Sequence, residues 1–203
     1  MSKSRSQGGS SRAGSAVPTF EWAIEDIIAA HPDLYLEHCA VMAVALMMRL
    51  SASPCRFTVE CEGFSPPALR GATRFFVRVS WTEQTALKAQ RVWQTEQPKP
   101  IVERAAVALA ALLFAGLVPE GQMRVTREGE RADYWLPRLQ CVLEVSGTEH
   151  PGELTRRCRE KAVQALANPL RWNAYAVVCC LTAPQSMIRW SYHQQEVEVD
   201  APS

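Results

Sequence analysis

Two periodicities organise this chain. After an N-terminal stretch rich in Ser, Gly and Arg, a segment Glu21–Ala30 leads into the run Ala40–Met48. That run is apolar nearly all round and predicts a buried helix around Leu36–Leu50. Alternation then takes over. Phe57, Val59 and Cys61 share one face of a strand over Arg56–Phe64, and Phe75, Val77, Val79 and Trp81 share one face of a strand over Thr73–Trp81. Ser65-Pro66-Pro67 and Gly71 break the chain between them. A polar helix, Glu83–Gln94, closes this half, and Gln97-Pro98-Lys99-Pro100 marks a boundary.

Beyond the boundary the order reads helix (Ile101–Leu117), strand (Met123–Arg127), strand (Arg131–Leu136), strand (Leu139–Ser146), helix (Glu153–Ala167), strand (Ala174–Thr182), with a last strand over Met187–Tyr192. The order predicts an α/β protein with a mixed central sheet flanked by helices. Its last β-α-β portion is expected to be a right-handed crossover. The expected organisation is a disordered arm over 1–18, an α+β extension over 19–97 and a module over 98–203. No internal repeat is present.

Composition narrows the function classes. Of 203 residues 47% are hydrophobic and 21% charged, which excludes a mostly disordered or collagen-like chain. A net charge of +1, from 22 Lys and Arg against 21 Asp and Glu, argues against a protein that binds by bulk positive charge. The longest apolar stretch, Ala105–Val118, is shorter than the roughly 18–20 residues that cross a bilayer, so no membrane association is expected. The Ser/Gly/Arg-rich start lacks the apolar core of a secretory signal. Seven cysteines, without a CxxC pair or a zinc-ligand spacing and partly embedded in runs such as Val177-Val178-Cys179-Cys180, fit small core hydrophobes in a reducing cytoplasm.

The stretch Glu130–Thr148 carries the candidate chemistry. If Pro137-Arg138 is a two-residue hairpin turn, Asp133 faces Val142 and Arg131 faces Glu144, all four on one face of the sheet. Asp133 and Glu144 are then diagonal neighbours, roughly 7–8 Å apart at the backbone, and can converge on one divalent cation. A proline at the first turn position matches none of the favoured primed turns, which leaves the register open by one residue. On the following helix, Lys161 falls inside the apolar stripe of Leu154, Cys158 and Ala165, and Arg157, Lys161 and Gln164 form one row at i, i+4, i+7. Two carboxylates beside a lysine suit metal-assisted phosphodiester cleavage, in which Mg²⁺ or Mn²⁺ activates a water and a cation stabilises the developing charge. Ser146 lies in Val-Ser-Gly-Thr, without the flanking glycine of a serine-hydrolase elbow.

This order of elements and acidic residues resembles the PD-(D/E)XK, or restriction-endonuclease-like, nuclease superfamily, over about Ile101–Thr182. Asp133 matches the motif aspartate, Glu144 the glutamate of the E-x-K triplet, Glu103 the glutamate many members carry on their first helix, and Gln164 the helix glutamine of the RecB-like branch. The triplet here is Glu144-Val145-Ser146, with serine in the lysine's place. Some members are similar in having moved that lysine to the neighbouring helix, where Lys161 stands; others have lost it and do not cut. The resemblance implies a Mg²⁺- or Mn²⁺-dependent nuclease acting on DNA. Asp133 and Glu144 would hold the metal, Lys161 would be the displaced lysine, and Glu103 and Gln164 would support them. As the alternative, it admits an inactive nuclease-like subunit that works beside a larger protein partner or a second copy.

Arg131, Arg156 and Arg157 are the candidate phosphate contacts, although the 120–172 segment holds nine Lys and Arg against eight Asp and Glu. A purely structural reading has Glu144 paired with Arg131, Asp133 paired with Arg157, Lys161 lying its stem on the core with its ammonium in water, and Glu103 as a charge favoured at a helix start. Trp135, Trp172 and Trp190 are expected in the core or at an interface.

Overall fold

The computed structural model describes residues 17–118, 120–126 and 132–192. Its frame is one eight-stranded mixed sheet, flanked by helices, in the order β1-β3-β2-β8-β7-β6-β5-β4. The strands are β1 (Thr19–Ala23), β2 (Cys55–Glu62), β3 (Arg74–Ser80), β4 (Arg124–Val125), β5 (Tyr134–Leu136), β6 (Cys141–Thr148), β7 (Asn173–Cys180) and β8 (Gln185–Ser191). The helices are α1 (Asp26–Ala30), α2 (Glu37–Met47), α3 (Glu83–Thr95), α4 (Pro98–Leu117) and α5 (Leu154–Leu166). The opening segment Glu21–Ala30 thus divides into a strand and a short helix. β1 pairs in parallel with β3, from Thr19↔Phe76 to Ala23↔Ser80.

The alternation in β2 and β3 is used as expected. Phe57 opposes Val77 and Val59 opposes Phe75, all buried. Arg56, Glu60, Arg74 and Arg78 stand exposed on the other face. The Gln97–Pro100 segment does not divide the sheet. β2 of the first half pairs in parallel with β8 of the second, Val59 against Ser186 and Cys61 against Ile188. One apolar cluster runs from Ile24 and Phe57 through α2 and α4 to Leu143 and Val177.

α4 starts at Pro98, three residues earlier than the apolar pattern predicts, because proline is tolerated in a first helical turn where the backbone N–H has no intrahelical partner. By length and composition it is the one helix among the described residues able to cross a bilayer, but 67% of its most apolar window is buried within the protein. It packs on one face of β6 and β7. Gly147 makes this approach possible: a Cβ there would lie 2.5 Å from Val102 Cγ1 and 2.6 Å from the Val102 carbonyl oxygen.

β7 is buried on both faces, as a strand sandwiched by helices must be. Tyr175, Val177 and Cys179 join the α4 side, whereas Ala176, Val178 and Cys180 meet Leu154, Cys158 and Ala162 of α5. Six of the seven cysteines are buried and all are unpaired.

Candidate functional site

The site grows from the pairing of β5 with β6. The ladder reads Tyr134↔Leu143, Trp135↔Val142 and Leu136↔Cys141, two residues away from the expected register. The turn is longer than the sequence reading supposed: Pro137–Leu139 form a 3₁₀ turn and Gln140 closes it at φ 49°. Pro137 is accommodated at the start of that turn, where its fixed φ is favourable. A slip of two residues preserves side-chain parity, so the face assignment survives. Carrying the ladder one residue further sets Asp133 opposite Glu144 instead of diagonal to it.

Val142 packs against Ala165 of α5, so Glu144, two residues on, also faces α5. Its side chain is 1% exposed. Lys161 Nζ donates to Glu144 Oε2 at 2.8 Å and to Gln164 Oε1 at 3.0 Å, and Gln164 Nε2 donates to Glu144 Oε1 at 3.1 Å. The three side chains close a triangle in which both carboxylate oxygens have a donor. Beside them Asp133 Oδ2 accepts the Val145 backbone N–H at 2.9 Å. Burial pushes the Glu144 carboxyl up to about 7. The Lys161 hydrogen bond and charge oppose the rise, and the neighbouring Asp133 carboxylate adds to it.

The row foreseen on α5 is present, with its members in different roles. Lys161 and Gln164 reach Glu144. Arg157 instead donates to the Gly147 carbonyl at 2.8 Å and pairs with Glu153 at 3.1 Å, so it is not the partner of Asp133. Arg156 pairs along its own helix with Glu153 at 3.5 Å and Glu160 at 2.6 Å. Arg131 lies outside the described residues, and the described partner of Glu144 is Lys161.

Glu103 does not join the group. The turn of α4 that buries Ile101 and Val102 leaves it 61% exposed beside Lys99 at 3.9 Å, and α4 lies on the sheet face opposite α5. Ser146, in the triplet lysine's place, is half-buried, with its hydroxyl 3.4 Å from the Gly147 carbonyl.

Among the described residues no group of three or more His, Cys, Asp and Glu side chains is arranged to hold a metal. The acidic side chains that could hold a cation here are the pair Asp133 and Glu144. Two hard carboxylates suit Mg²⁺, which commonly takes one or two protein carboxylates and completes its shell with water and substrate phosphate.

Sequence reasoning missed the local clamp that ends α5. Asn168, 3% exposed, donates to the Ala165 and Trp172 carbonyls at 2.8 and 2.9 Å and accepts the Trp172 N–H at 3.0 Å. The clamp fixes the chain that carries Trp172, whose indole stacks on Trp135 with ring centroids 5.6 Å apart. The spacings Asp133/Trp135 and Trp172/Ala174 contain the signal, since residues two apart share a strand face.

Comparison of the chain with protein-family models, with curated proteins and with solved structures finds no match in any of the three.

Proposed function

We propose that this protein is a Mg²⁺- or Mn²⁺-dependent nuclease that hydrolyses DNA phosphodiester bonds at the Asp133–Glu144 pair. The observation that carries the reading is the convergence of Lys161 and Gln164 from α5 on the buried Glu144, with the Asp133 carboxylate alongside. A cation held by the two carboxylates would polarise the scissile phosphate and lower the pKa of a bound water. Gln164 orients Glu144 and, through its Oε1, the Lys161 ammonium. Lys161, 28% exposed, keeps access to a phosphate above the site, where its charge would stabilise the transition state. That contact supplies from the helix what Ser146 cannot supply from the strand.

A second reading has its own support: an inactive nuclease-like subunit serving as a structural or interaction partner. Both Glu144 oxygens already receive donors from within the chain, so the acid is satisfied without a metal. Calorimetric titration of Mg²⁺ and Mn²⁺ at pH 8, with and without a short DNA, separates the two. The nuclease reading expects saturable binding that Asp133→Ala and Glu144→Ala each abolish, and DNA cleavage lost in Lys161→Ala. Absence of metal binding under both conditions leaves the subunit reading.

A further inference from the structure

On the sheet face that carries α5, three features follow one another along β6. Trp135, opposite Val142, stacks on Trp172, and both indoles are half-buried. One step of two residues away, about 6–7 Å along a strand, Asp133 and Glu144 meet Lys161. Three residues beyond Glu144, about 10 Å, Arg157 is anchored on the Gly147 carbonyl, pairs with Glu153 and keeps a side chain 39% exposed.

Trp172 packs on the Val142, Ala165 and Ala174 cluster and is held there by its backbone. The clamp by Asn168 places Trp172 through three hydrogen bonds to backbone groups, and Arg171 adopts a left-handed φ of 52° to make the turn. The Trp135 Nε1–H is buried and meets no acceptor among the described residues.

We infer that the line Trp135/Trp172, Asp133/Glu144/Lys161, Arg157 is a track for single-stranded DNA. An unpaired base stacks at the tryptophan pair, its phosphate lies over the carboxylates, and a further phosphate reaches Arg157. The inference rests on the nuclease reading and adds strandedness to it. A base inside a duplex is already stacked on both faces, whereas an unpaired base presents a free face to an aromatic side chain. With a nearly neutral chain, stacking must supply affinity that bulk charge does not.

The test uses fluorescence anisotropy with Ca²⁺ as the cation, a labelled 12-nucleotide single strand, its duplex, and versions of the single strand with one abasic position moved along its length. The expected result has three parts. The single strand binds about tenfold more tightly than the duplex. One abasic position weakens binding by about tenfold, within the range for loss of one stacked base. Trp172→Ala weakens the intact strand similarly and no longer responds to the abasic position, while Trp172→Phe retains most of the response.

Because the clamp holds the Trp172 backbone and not its indole, Trp172→Ala should keep the turn, and an unchanged far-ultraviolet circular dichroism spectrum verifies it. Equal binding of duplex and single strand, no binding, indifference to every abasic position, or an abasic penalty that persists in Trp172→Ala overturns the inference. If metal binding and cleavage follow the carboxylates but the abasic penalty is missing, the track fails while the nuclease stands. If the penalty is present but no metal binds, the nuclease reading fails and the stacking site remains.

Discussion

Glu144→Gln should stabilise the metal-free protein, and by an amount that grows with pH. In the folded state burial raises the Glu144 carboxyl from an ordinary 4.5 to about 7. A carboxyl with a raised folded pKa binds more protons in the native than in the unfolded state between those values, so stability falls as pH rises from about 4.5 to about 7 and is level above. At about 1.4 kcal/mol per pH unit the interval amounts to about 3 kcal/mol, reduced to about 2 kcal/mol because water entering beside the 28% exposed Lys161 relieves part of the carboxylate's desolvation. Glutamine imitates the protonated acid: it can accept from one donor and offer its amide to Asp133. Urea denaturation with chelator present, at pH 5 and pH 8.5, measures the difference between variant and wild type. The two proteins should be nearly equal at pH 5, with the variant ahead by about 2 kcal/mol at pH 8.5. A difference that does not change with pH, or a variant weakened most at pH 8.5, would refute the claim that the protein holds a desolvated anion at this position.

Three further outcomes concern contacts elsewhere in the fold. His31 is fully buried, with Nε2 2.9 Å from the Ala111 carbonyl and Nδ1 accepting the Met123 N–H at 3.0 Å, and burial holds its pKa below 6.5. The stability this neutral ring supplies is complete above 6.5 and lost as pH falls through the folded pKa; His31→Leu should cost about 1–3 kcal/mol at pH 8, chiefly for the buried Met123 N–H left without its acceptor, and urea midpoints should show the cost shrinking towards pH 5. Gly147→Ala should destabilise by about 3 kcal/mol or more, since the new methyl meets a backbone carbonyl that cannot rotate away; a urea midpoint close to wild type would contradict the close approach of α4. Asn168→Ala should cost about 2–3 kcal/mol for three hydrogen bonds, one buried and two part-buried, and shift tryptophan emission to the red as Trp172 loosens, whereas an unchanged emission maximum would detach the clamp from the indole stack.

What could be read from the sequence, and what could not, follows from the range of each interaction. The faces of β2, β3 and α5 depend on local periodicity, so Phe57, Val77 and Lys161 lie where alternation and the helical wheel put them. The meeting of Lys161 and Gln164 with Glu144 required only that α5 cross β6, and the β-α-β order supplies that. The hairpin register depended on the conformation of Pro137–Gln140, and a 3₁₀ turn ending in a left-handed glutamine has no distinctive signature. The error cost little, because a shift of two residues keeps both acids on one face. The place of Glu103 is hidden from the sequence for a different reason. Its neighbours on α4 are apolar nearly all round, so the pattern could not say which edge of the helix is left to solvent. The pairing of β2 with β8 across the proline-rich boundary is a long-range contact that no local pattern encodes.

On the proposed nuclease reading, the contacts around Glu144 also bear on how such an acid would survive folding without a metal. A buried carboxylate left without donors would cost several kcal/mol, yet a site closed permanently on its own lysine could not bind a cation. The triangle lies between these limits. Lys161 reaches the acid from a helix that leaves its side chain 28% exposed, so on that reading it would withdraw from Oε2 into solvent when a cation arrives, whereas a fully buried partner could not. Gln164 is neutral and therefore competes less with a cation for Oε1 than a second basic side chain would. This arrangement gives Lys161→Met a signature that a structural salt bridge would not have. It should weaken the apo protein at pH 8.5, where Glu144 is ionised, and lose most of that penalty when saturating Mn²⁺ takes over the charge. Urea midpoints with and without Mn²⁺ measure both effects, and a penalty unchanged by the metal would mark the ion pair as a fixed strut of the fold.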